Sequence, residues 1–162
     1  AFLRPVWVGF ALLVTGLVVA ATKWMSGGPR DEAGTTWRQA MLIGLVQGMA
    51  VFPGLSRSGL TISSALGAGL ERSWAARFSF LLGVPAIAGV AVIEVFDERH
   101  ALAAAGFGYW SACLIGAVAA GLAGYLALTI VIKTLSSRVF HRFSWYCVPL
   151  GLVVIVLTWG QP

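Results

Sequence analysis

Long apolar runs separated by short polar segments make up most of the chain. Four of these runs contain no Asp, Glu, Lys or Arg, and they cover residues 5–22, 78–93, 106–132 and 144–160. A helix that crosses the hydrocarbon core of a bilayer needs about 20 residues of this kind. The pattern predicts a single membrane domain over residues 1–162, in which these four runs are transmembrane helices.

Two further apolar segments, 37–51 and 60–70, are too short to cross a bilayer at about 1.5 Å per residue. A loop rich in Gly and Ser, 53–61, separates them, and Thr36 stands at the N-cap position of the first. Irregular backbone at membrane depth is tolerated where protein or a water-filled cavity satisfies its polar groups. We therefore predict a re-entrant helical hairpin over 37–70, with 53–61 as its tip.

The composition indicates that the solvent of this protein is lipid. Of the 162 residues, 59% are hydrophobic and 10% are charged, and the mean hydropathy is +0.88. A soluble domain carries about 25% charged residues, and so large an apolar surplus cannot be buried inside one small globule. The expected fold class is an all-α integral membrane protein with about four transmembrane helices plus one re-entrant hairpin. An ordinary cytosolic domain, a disordered tail and a nucleic-acid-binding module are excluded.

The net charge of +5 indicates an orientation in the membrane, because the basic residues are scattered and form no nucleic-acid patch. With Lys133, Arg138 and Arg142 in the cytoplasm, alternating spans put both flanks of the hairpin on the cytoplasmic side as well. Arg4 and Arg99 are then the exceptions among the loop Lys and Arg residues. The hairpin tip is expected deep in the membrane, in a cavity that opens toward the outer face.

Arg57, at the centre of the tip loop, is the residue that most needs a partner. A guanidinium at membrane depth costs at least about 2.5 kcal/mol and cannot lose its proton, so it requires a permanent anion. One interpretation is a phosphate group of a ligand. The other is an ion pair with Glu71 or Glu94, with the neighbouring serines acting as helix caps.

The surroundings of Arg57 favour the phosphate interpretation. Hydroxyl groups donate hydrogen bonds, glycines let a ligand approach the backbone, and the helix that follows offers free N–H groups at its N-terminus. Gln47 lies about three turns before the tip and either faces the same cavity or bonds to another helix. The candidate anion-binding residues are Gln47, Gly54, Ser56, Arg57, Ser58, Gly59 and Thr61.

Two motifs of the chain resemble a known family. Pro-Gly-Leu-Ser-Arg-Ser-Gly-Leu-Thr stands at 53–61, and Arg-Phe-Ser-Phe-Leu-Leu-Gly-Val-Pro stands at 77–85. Both are similar to signatures of the undecaprenyl-pyrophosphate phosphatase family of bacteria, the bacitracin-resistance type. The resemblance covers essentially the whole chain, but only the C-terminal part of the family's usual length. The chain also begins at Ala1, without Met and directly before an apolar run, which we interpret as a cut inside a larger protein.

The resemblance implies hydrolysis of the terminal phosphate of undecaprenyl pyrophosphate in the bacterial inner membrane, which recycles the lipid carrier for cell-wall precursors. It also implies an inverted-repeat architecture, in which two re-entrant hairpins meet at mid-membrane and this chain forms one half. The expected catalytic residues are Arg57, Ser56 and Thr61, and the expected phosphate-binding residues are Gly54, Ser58, Gly59 and Gln47.

The family's first signature, a Glu-Gly-x-x-Glu helix followed by a Pro-x-Ser-Ser-x-Gly-His loop, is absent from this sequence. The chain alone therefore lacks a general base and a nucleophile. We expect it to need a partner, either an N-terminal half or a further copy in a homo-oligomer. No metal site is expected within the chain, and a divalent cation such as Mg²⁺ or Ca²⁺ would find its carboxylate ligands in the complete protein. The alternatives are a lipid-phosphate or anion transporter or flippase, and a non-catalytic half that assembles with a separate chain.

Overall fold

The computed structural model describes residues 5–136 and 139–159, and this part of the chain is all-helical, as predicted. Predictions that concern residues 1–4, Arg138 and Gly160 lie outside the described residues. The helices are α1 (Pro5–Ala21), α2 (Trp37–Met49), α3 (Arg57–Gly67), α4 (Arg72–Asp97), α5 (Arg99–Ala104), α6 (Phe107–Ser136) and α7 (Ser144–Thr158), with a 3₁₀-helix, Phe140–Phe143, before α7.

Three helical segments are long and apolar enough to cross a membrane: Arg72–Asp97, Phe107–Leu135 and Phe140–Thr158. The fourth predicted span, α1, is a shorter apolar helix of 17 residues. At 1.5 Å per residue it is about 25 Å long, which is less than the roughly 30 Å thickness of the hydrocarbon core. Among the described residues, three helical segments therefore reach spanning length, the third of them only together with the 3₁₀-helix before α7, and α1 is shorter.

Helix α4 extends beyond the apolar run 78–93 at both ends and contains Pro85. Polar first and last turns can be helical, because helical hydrogen bonding does not require apolar side chains. Pro85 has no N–H, so the carbonyl of Leu81 loses the helical hydrogen bond it would otherwise accept. This locally altered turn of α4 faces the functional loop described below.

Helices α2 and α3 form an antiparallel hairpin. Thr36 caps α2 in a capping box with Gln39, which confirms the predicted N-cap. Gln39, in the first turn of α2, also donates from Nε2 to the carbonyl of Ala68 (2.6 Å), which follows α3. With 13 and 11 residues, the two helices are about 20 Å and 17 Å long, and neither can cross the bilayer alone.

The packing order places α3 at the centre of the molecule, in contact with α1, α2 and α4. Helix α1 packs closely along α7, because Gly9 and Gly16 of α1 and Gly151 of α7 have no side chains to keep the two helices apart. A Cβ atom at any of the three would lie less than 3.0 Å from an atom of the other helix. Helix α6 packs against α4 and has most of its surface exposed. Gly116 and Gly124 are small residues spaced along α6, and a Cβ atom added to either would have no neighbouring atom within 4 Å. These glycines therefore make no close helix contact in this structure.

Several polar loops meet at one end of the helices. Arg72, which begins α4, donates from Nη2 to the carbonyl of Thr22 (3.4 Å) beyond α1. Gly28 donates from its backbone N–H to the carbonyl of Leu70 (3.1 Å), and Leu135 near the end of α6 shares a buried cluster with Leu70. This end carries Lys23, Arg30, Arg72 and Lys133. The opposite end of α4 carries Glu94, Asp97 and Glu98.

Candidate functional site

The tip loop between α2 and α3 owes its path to Gly54. This residue has φ +93°, a conformation that strongly favours glycine. A Cβ atom at this position would also lie 2.6 Å from the carbonyl oxygen of Val8 and 2.9 Å from the Cβ of Ala11. Gly54 therefore lets the loop turn while its backbone rests directly on α1.

Ser56 forms the N-cap of α3. Its Oγ accepts a hydrogen bond from the backbone N–H of Gly59 (3.1 Å), which satisfies one of the free donors at the start of the helix. The first two helical N–H groups, those of Arg57 and Ser58, have no intrahelical carbonyl to bind. Together with the helix dipole, they make this end of α3 attractive to an anion.

Thr15 of α1 connects the tip loop to α1 through two hydrogen bonds. Its Oγ1 accepts from the backbone N–H of Ser56 (3.0 Å) and donates to the carbonyl of Gly54 (3.4 Å). Thr15 is only 1% exposed. A single buried hydroxyl thus satisfies two backbone groups of the loop and connects it to α1.

We expect Thr15→Val to lower the stability of the protein by about 1 kcal/mol, because the variant keeps the shape of the side chain and leaves two partly buried backbone groups without their hydrogen bonds. The melting temperature in detergent should fall by several degrees. Thr129→Val is the matched control, since the hydroxyl of Thr129 on α6 makes an exposed hydrogen bond to the carbonyl of Tyr125 in its own helix and joins no other element. Equal melting temperatures for the two variants would contradict the role of Thr15.

Arg57 lies beside the middle of α4. An ideal Cβ on Gly83 would be 2.9 Å from Arg57 Nη2. Gly83 is 11 residues from the start of α4 and 14 from its end, so the guanidinium lies roughly 16 Å and 21 Å from these ends along the helix. Arg57 is half-buried, and its buried Nη2 has no acceptor.

The alternative ion pair with a glutamate does not form. Glu71 and Glu94 stand 12 and 11 residues from Gly83 along the chain, which corresponds to roughly 16–18 Å along α4. Glu71 instead accepts from the Ser73 hydroxyl (2.8 Å). Arg57 is therefore a cation of α3 that lies beside the middle of the long apolar helix α4, and neither of these carboxylates neutralises it.

Thr61 points away from the loop surface. Its side chain is fully buried, and its hydroxyl donates to the carbonyl of Arg57 (2.9 Å) one turn earlier. It also pairs with the hydroxyl of Ser79 on α4. Because the one proton of Thr61 is directed to a carbonyl, Ser79 donates to Thr61. The hydroxyl of Thr61 thus joins α3 to α4.

Gln47 and Arg57 both line a cavity of about 880 Å³ between α2 and α4. Gln47 donates from Nε2 to the carbonyl of Leu82 (3.2 Å), and its buried Oε1 has no partner. The rest of the wall is mostly apolar, with Ile87 and Val90 among its residues, and Glu94 lies toward the far end. The cavity combines a cationic, polar region with an apolar wall, which suits a ligand with an anionic head and an apolar tail.

The residues around Arg57 do not fit a divalent cation. Within residues 5–136 and 139–159, no three His, Cys, Asp or Glu side chains come together in a group that could hold a metal ion. The groups nearest the loop are hydroxyls, an amide and a guanidinium. Mg²⁺ and Ca²⁺ favour carboxylate oxygens, and the positive charge of Arg57 would repel them.

The structure brings most of the predicted site residues together at the tip loop. Gly54, Ser56, Ser58 and Gly59 form the loop and the first turn of α3, with Ser58 exposed and Gly59 buried, while Thr61 is directed into the helix contact. Three residues that contact this loop were not predicted from the sequence: Thr15, Ser79 and Gly83. Ser79 and Gly83 belong to the motif at 77–85, which could have indicated their importance. Thr15 is a single hydroxyl residue in an apolar run, and no pattern in the sequence pointed to it.

Comparison with known proteins gives consistent matches. The family model "Bacitracin resistance protein BacA" matches residues 1–153. The chain is 37% identical over 157 residues to a protein of Methanosphaera stadtmanae named undecaprenyl-diphosphatase, covering 97% of this chain and 55% of that protein. Proteins of the same name from Carboxydothermus hydrogenoformans (40%) and Methanothermobacter thermautotrophicus (38%) match 93% and 91% of this chain, and 58% and 81% of their own lengths. The chain thus spans about half the length of most of these curated relatives.

Proposed function

Because this chain belongs to the bacitracin resistance protein BacA family, we propose that it supplies the phosphate-binding half of a phosphatase that hydrolyses undecaprenyl pyrophosphate to undecaprenyl phosphate and phosphate. The relatives named undecaprenyl-diphosphatase support this activity. In the following, the completed protein means this chain joined to, or expressed with, the part of those relatives that it does not span.

The observation that carries the proposal is the environment of Arg57. Its guanidinium lies beside the middle of the long apolar helix α4, in the wall of a mostly apolar cavity, and its buried Nη2 donor has no acceptor among the described residues. A buried donor without an acceptor is costly, and a phosphate oxygen would satisfy it with a charge-assisted hydrogen bond. An apolar polyprenyl tail would lie along α4 beyond the phosphate.

In the proposed reaction, the terminal phosphate binds to Arg57, to the hydroxyls of Ser56 and Ser58 and to the first N–H groups of α3. Gly54 and Gly59 have no side chains that would keep the phosphate away from the backbone of the loop. Thr61 holds the turn of α3 that carries Arg57. Water supplies one oxygen and two protons. The bond between the terminal phosphorus and the bridging oxygen breaks, and the bridging oxygen stays on the lipid phosphate. Arg57 stabilises the charge on the transferring phosphoryl group.

The group that attacks phosphorus would come from the rest of the completed protein. The polar groups of this chain nearest Arg57 offer no basic carboxylate or imidazole, and Gln47 has an amide in place of an acid. A second re-entrant hairpin in an inverted repeat would complete the cavity wall and would carry the carboxylates for a divalent cation such as Mg²⁺ or Ca²⁺. A homodimer would require two copies in opposite orientations, which the clustering of basic residues at one end disfavours.

The same clustering supports a topology in a cell membrane, where the end with Lys23, Arg30, Arg72 and Lys133 faces the cytoplasm and the cavity opens outward. We expect single cysteines at Gly34 and Ser73, which flank the hairpin, to be labelled from the same, cytoplasmic side. The native thiols of Cys113 and Cys147 are first replaced by Ala, because both are free. Labelling of the two positions from opposite sides would contradict a re-entrant hairpin.

The direct test is phosphate release from a polyprenyl pyrophosphate by the completed protein in detergent. The transporter or flippase alternative predicts movement of the lipid phosphate across vesicle bilayers with no release of phosphate. Because hydrolysis does not need two aqueous compartments and transport does, the detergent assay separates the two. Absence of phosphate release together with transbilayer movement would replace the phosphatase by a flippase.

A further inference from the structure

The motif at 77–85 lies on α4 and has no part in the proposed chemistry, yet it contacts the tip loop at two points and α2 at a third. Ser79 and Gly83 stand one turn apart on α4 and are both buried, whereas Val84 beside them is exposed. Ser79 pairs with Thr61 of α3, and Gly83 faces Arg57. One face of α4 is thus matched to the first turn of α3.

Gly83 provides the contact surface for the guanidinium. A Cβ on this residue would lie 2.9 Å from Nη2, 3.4 Å from Cζ and 3.6 Å from Nη1 of Arg57. The contact with Nη2 is closer than a real Cβ contact, while those with Cζ and Nη1 are ordinary van der Waals distances. A Cβ at residue 83 would therefore force the end of the Arg57 side chain to shift, and a larger side chain would force a larger shift.

A hydrogen bond between Gln47 and Leu82 holds the turn of α4 that contains Gly83. Gln47 of α2 donates to the carbonyl of Leu82 (3.2 Å), close to Pro85, where the helical hydrogen-bond pattern is interrupted. Since a carbonyl accepts only, this bond also assigns the orientation of the Gln47 amide, with Oε1 directed away from Leu82. Side chains of α2 and α3 thus hold the turn between Ser79 and Pro85 on both sides.

We propose that Gly83 is a positioning residue for Arg57: its bare backbone seats the guanidinium against α4 and so determines which donors Arg57 directs at an anionic ligand. The proposal rests on the proposed function in that Arg57 is taken to bind the phosphate. Gly83 itself touches no ligand. A bidentate grip on phosphate depends on the orientation of the guanidinium plane, so a displacement of less than 1 Å should weaken binding without unfolding the helices.

The test is a graded series, Gly83→Ala and Gly83→Val, with Gly89→Ala and Gly89→Val as matched controls. Gly89 is in the same helix, is exposed and has no atom near its Cβ position, so its substitution has the same intrinsic effect on helix propensity. The probes are farnesyl pyrophosphate and the neutral alcohol farnesol, bound to the purified chain in detergent. The measured quantity is the ratio of the two dissociation constants, which a general loss of packing would change little.

We expect the preference for the pyrophosphate to fall about threefold in Gly83→Ala, where the flexible guanidinium can shift slightly, and up to about tenfold in Gly83→Val, which is the scale of one charged hydrogen bond and of the whole contribution of Arg57. Both Gly89 variants should stay within about twofold of the parent, which is the scatter expected for a surface change. An unchanged ratio in Gly83→Val would overturn the proposal. If Gly83→Val does not fold, an unchanged ratio in Gly83→Ala overturns it equally.

A double-mutant cycle with Arg57→Ala separates this inference from the proposed function. If Gly83 acts through Arg57, Gly83→Val should produce no further loss of preference once Arg57→Ala is present. A further loss would show that Gly83 acts on another group and would overturn the inference. If Arg57→Ala alone leaves the ratio unchanged, Arg57 does not bind the phosphate, and the proposed function fails before the inference is reached.

Discussion

Arg57→Lys is expected to reduce phosphate release by the completed protein at least about 100-fold, the loss typical when one preorganised donor to a developing negative charge is removed. The charge is retained, but the planar fork that can hold two phosphate oxygens is replaced by a compact ammonium group. The Lys side chain is also shorter and has no planar group to place beside Gly83, where the guanidinium of Arg57 lies.

Arg77→Lys is the matched control for this variant. Arg77 stands in the first turns of α4 and is exposed, so the same substitution should leave turnover within about twofold of the parent, because surface changes have small effects. Thermal unfolding of both variants in detergent should match the parent, which excludes a folding defect. Near-parental turnover in a folded Arg57→Lys protein would remove Arg57 from the proposed mechanism.

The chain on its own is expected to release no phosphate from a polyprenyl pyrophosphate above the buffer background. The donors that hold the anion are present, namely the guanidinium of Arg57, the hydroxyls of Ser56 and Ser58 and the start of α3. Within residues 5–136 and 139–159, no carboxylate or imidazole that could activate a hydroxyl or a water molecule lies beside them. In enzymes that depend on such groups, removing the nucleophile or the base abolishes most of the rate enhancement, while substrate binding remains.

The chain should nevertheless bind the pyrophosphate lipid in preference to the neutral alcohol, by roughly tenfold, because one or two charge-assisted hydrogen bonds remain. The affinity itself should be weak, since water reaches an incomplete cavity and screens Arg57. Arg57→Ala should abolish the preference, while Arg77→Ala should retain it.

Turnover by the chain alone that Arg57→Ala abolishes would contradict this expectation. It would show that a nucleophile lies within the chain. Ser56 and Ser58 would then be the first candidates, because the loop presents both at its surface. Thr61 would be a poor candidate, since its hydroxyl is buried and already bonded to Arg57 and Ser79.

The sequence alone was sufficient for features that depend on neighbouring residues. The apolar runs predicted helices where the structure has α1, α4, α6 and α7, because a run of apolar residues forms a helix in lipid regardless of its partners. The N-cap at Thr36 follows from a side chain that bonds within three residues of itself. Helix α3, by contrast, begins at Arg57, inside the predicted loop 53–61 and three residues before the predicted segment 60–70, because Ser56 caps it there. The length of α1 and the fully helical ends of α4 were less well predicted, since helix termini are set by capping and packing as well as by hydropathy.

The arrangement of the site required the tertiary structure. The motif at 53–61 identified Arg57 as a cation in need of an anion, but it could not show whether Glu71, Glu94 or a ligand would supply one. Only the placement of α4 shows that both glutamates are far from Arg57 and that Gly83 is beside it. Likewise, the orientation of a helical hydroxyl depends on the neighbouring helix, so the sequence predicted the presence of Thr61 in the loop and not its direction.

The contacts that shape the loop join residues far apart in the chain. Thr15 and Ser56 are separated by 41 positions, Gln47 and Leu82 by 35, and Thr61 and Ser79 by 18. No local pattern encodes such pairs, because each depends on how two helices are rotated and displaced against each other. The sequence thus identified the candidate anion-binding residues, while the packing of α1, α3 and α4 decided which of them face the cavity and which hold the others in place.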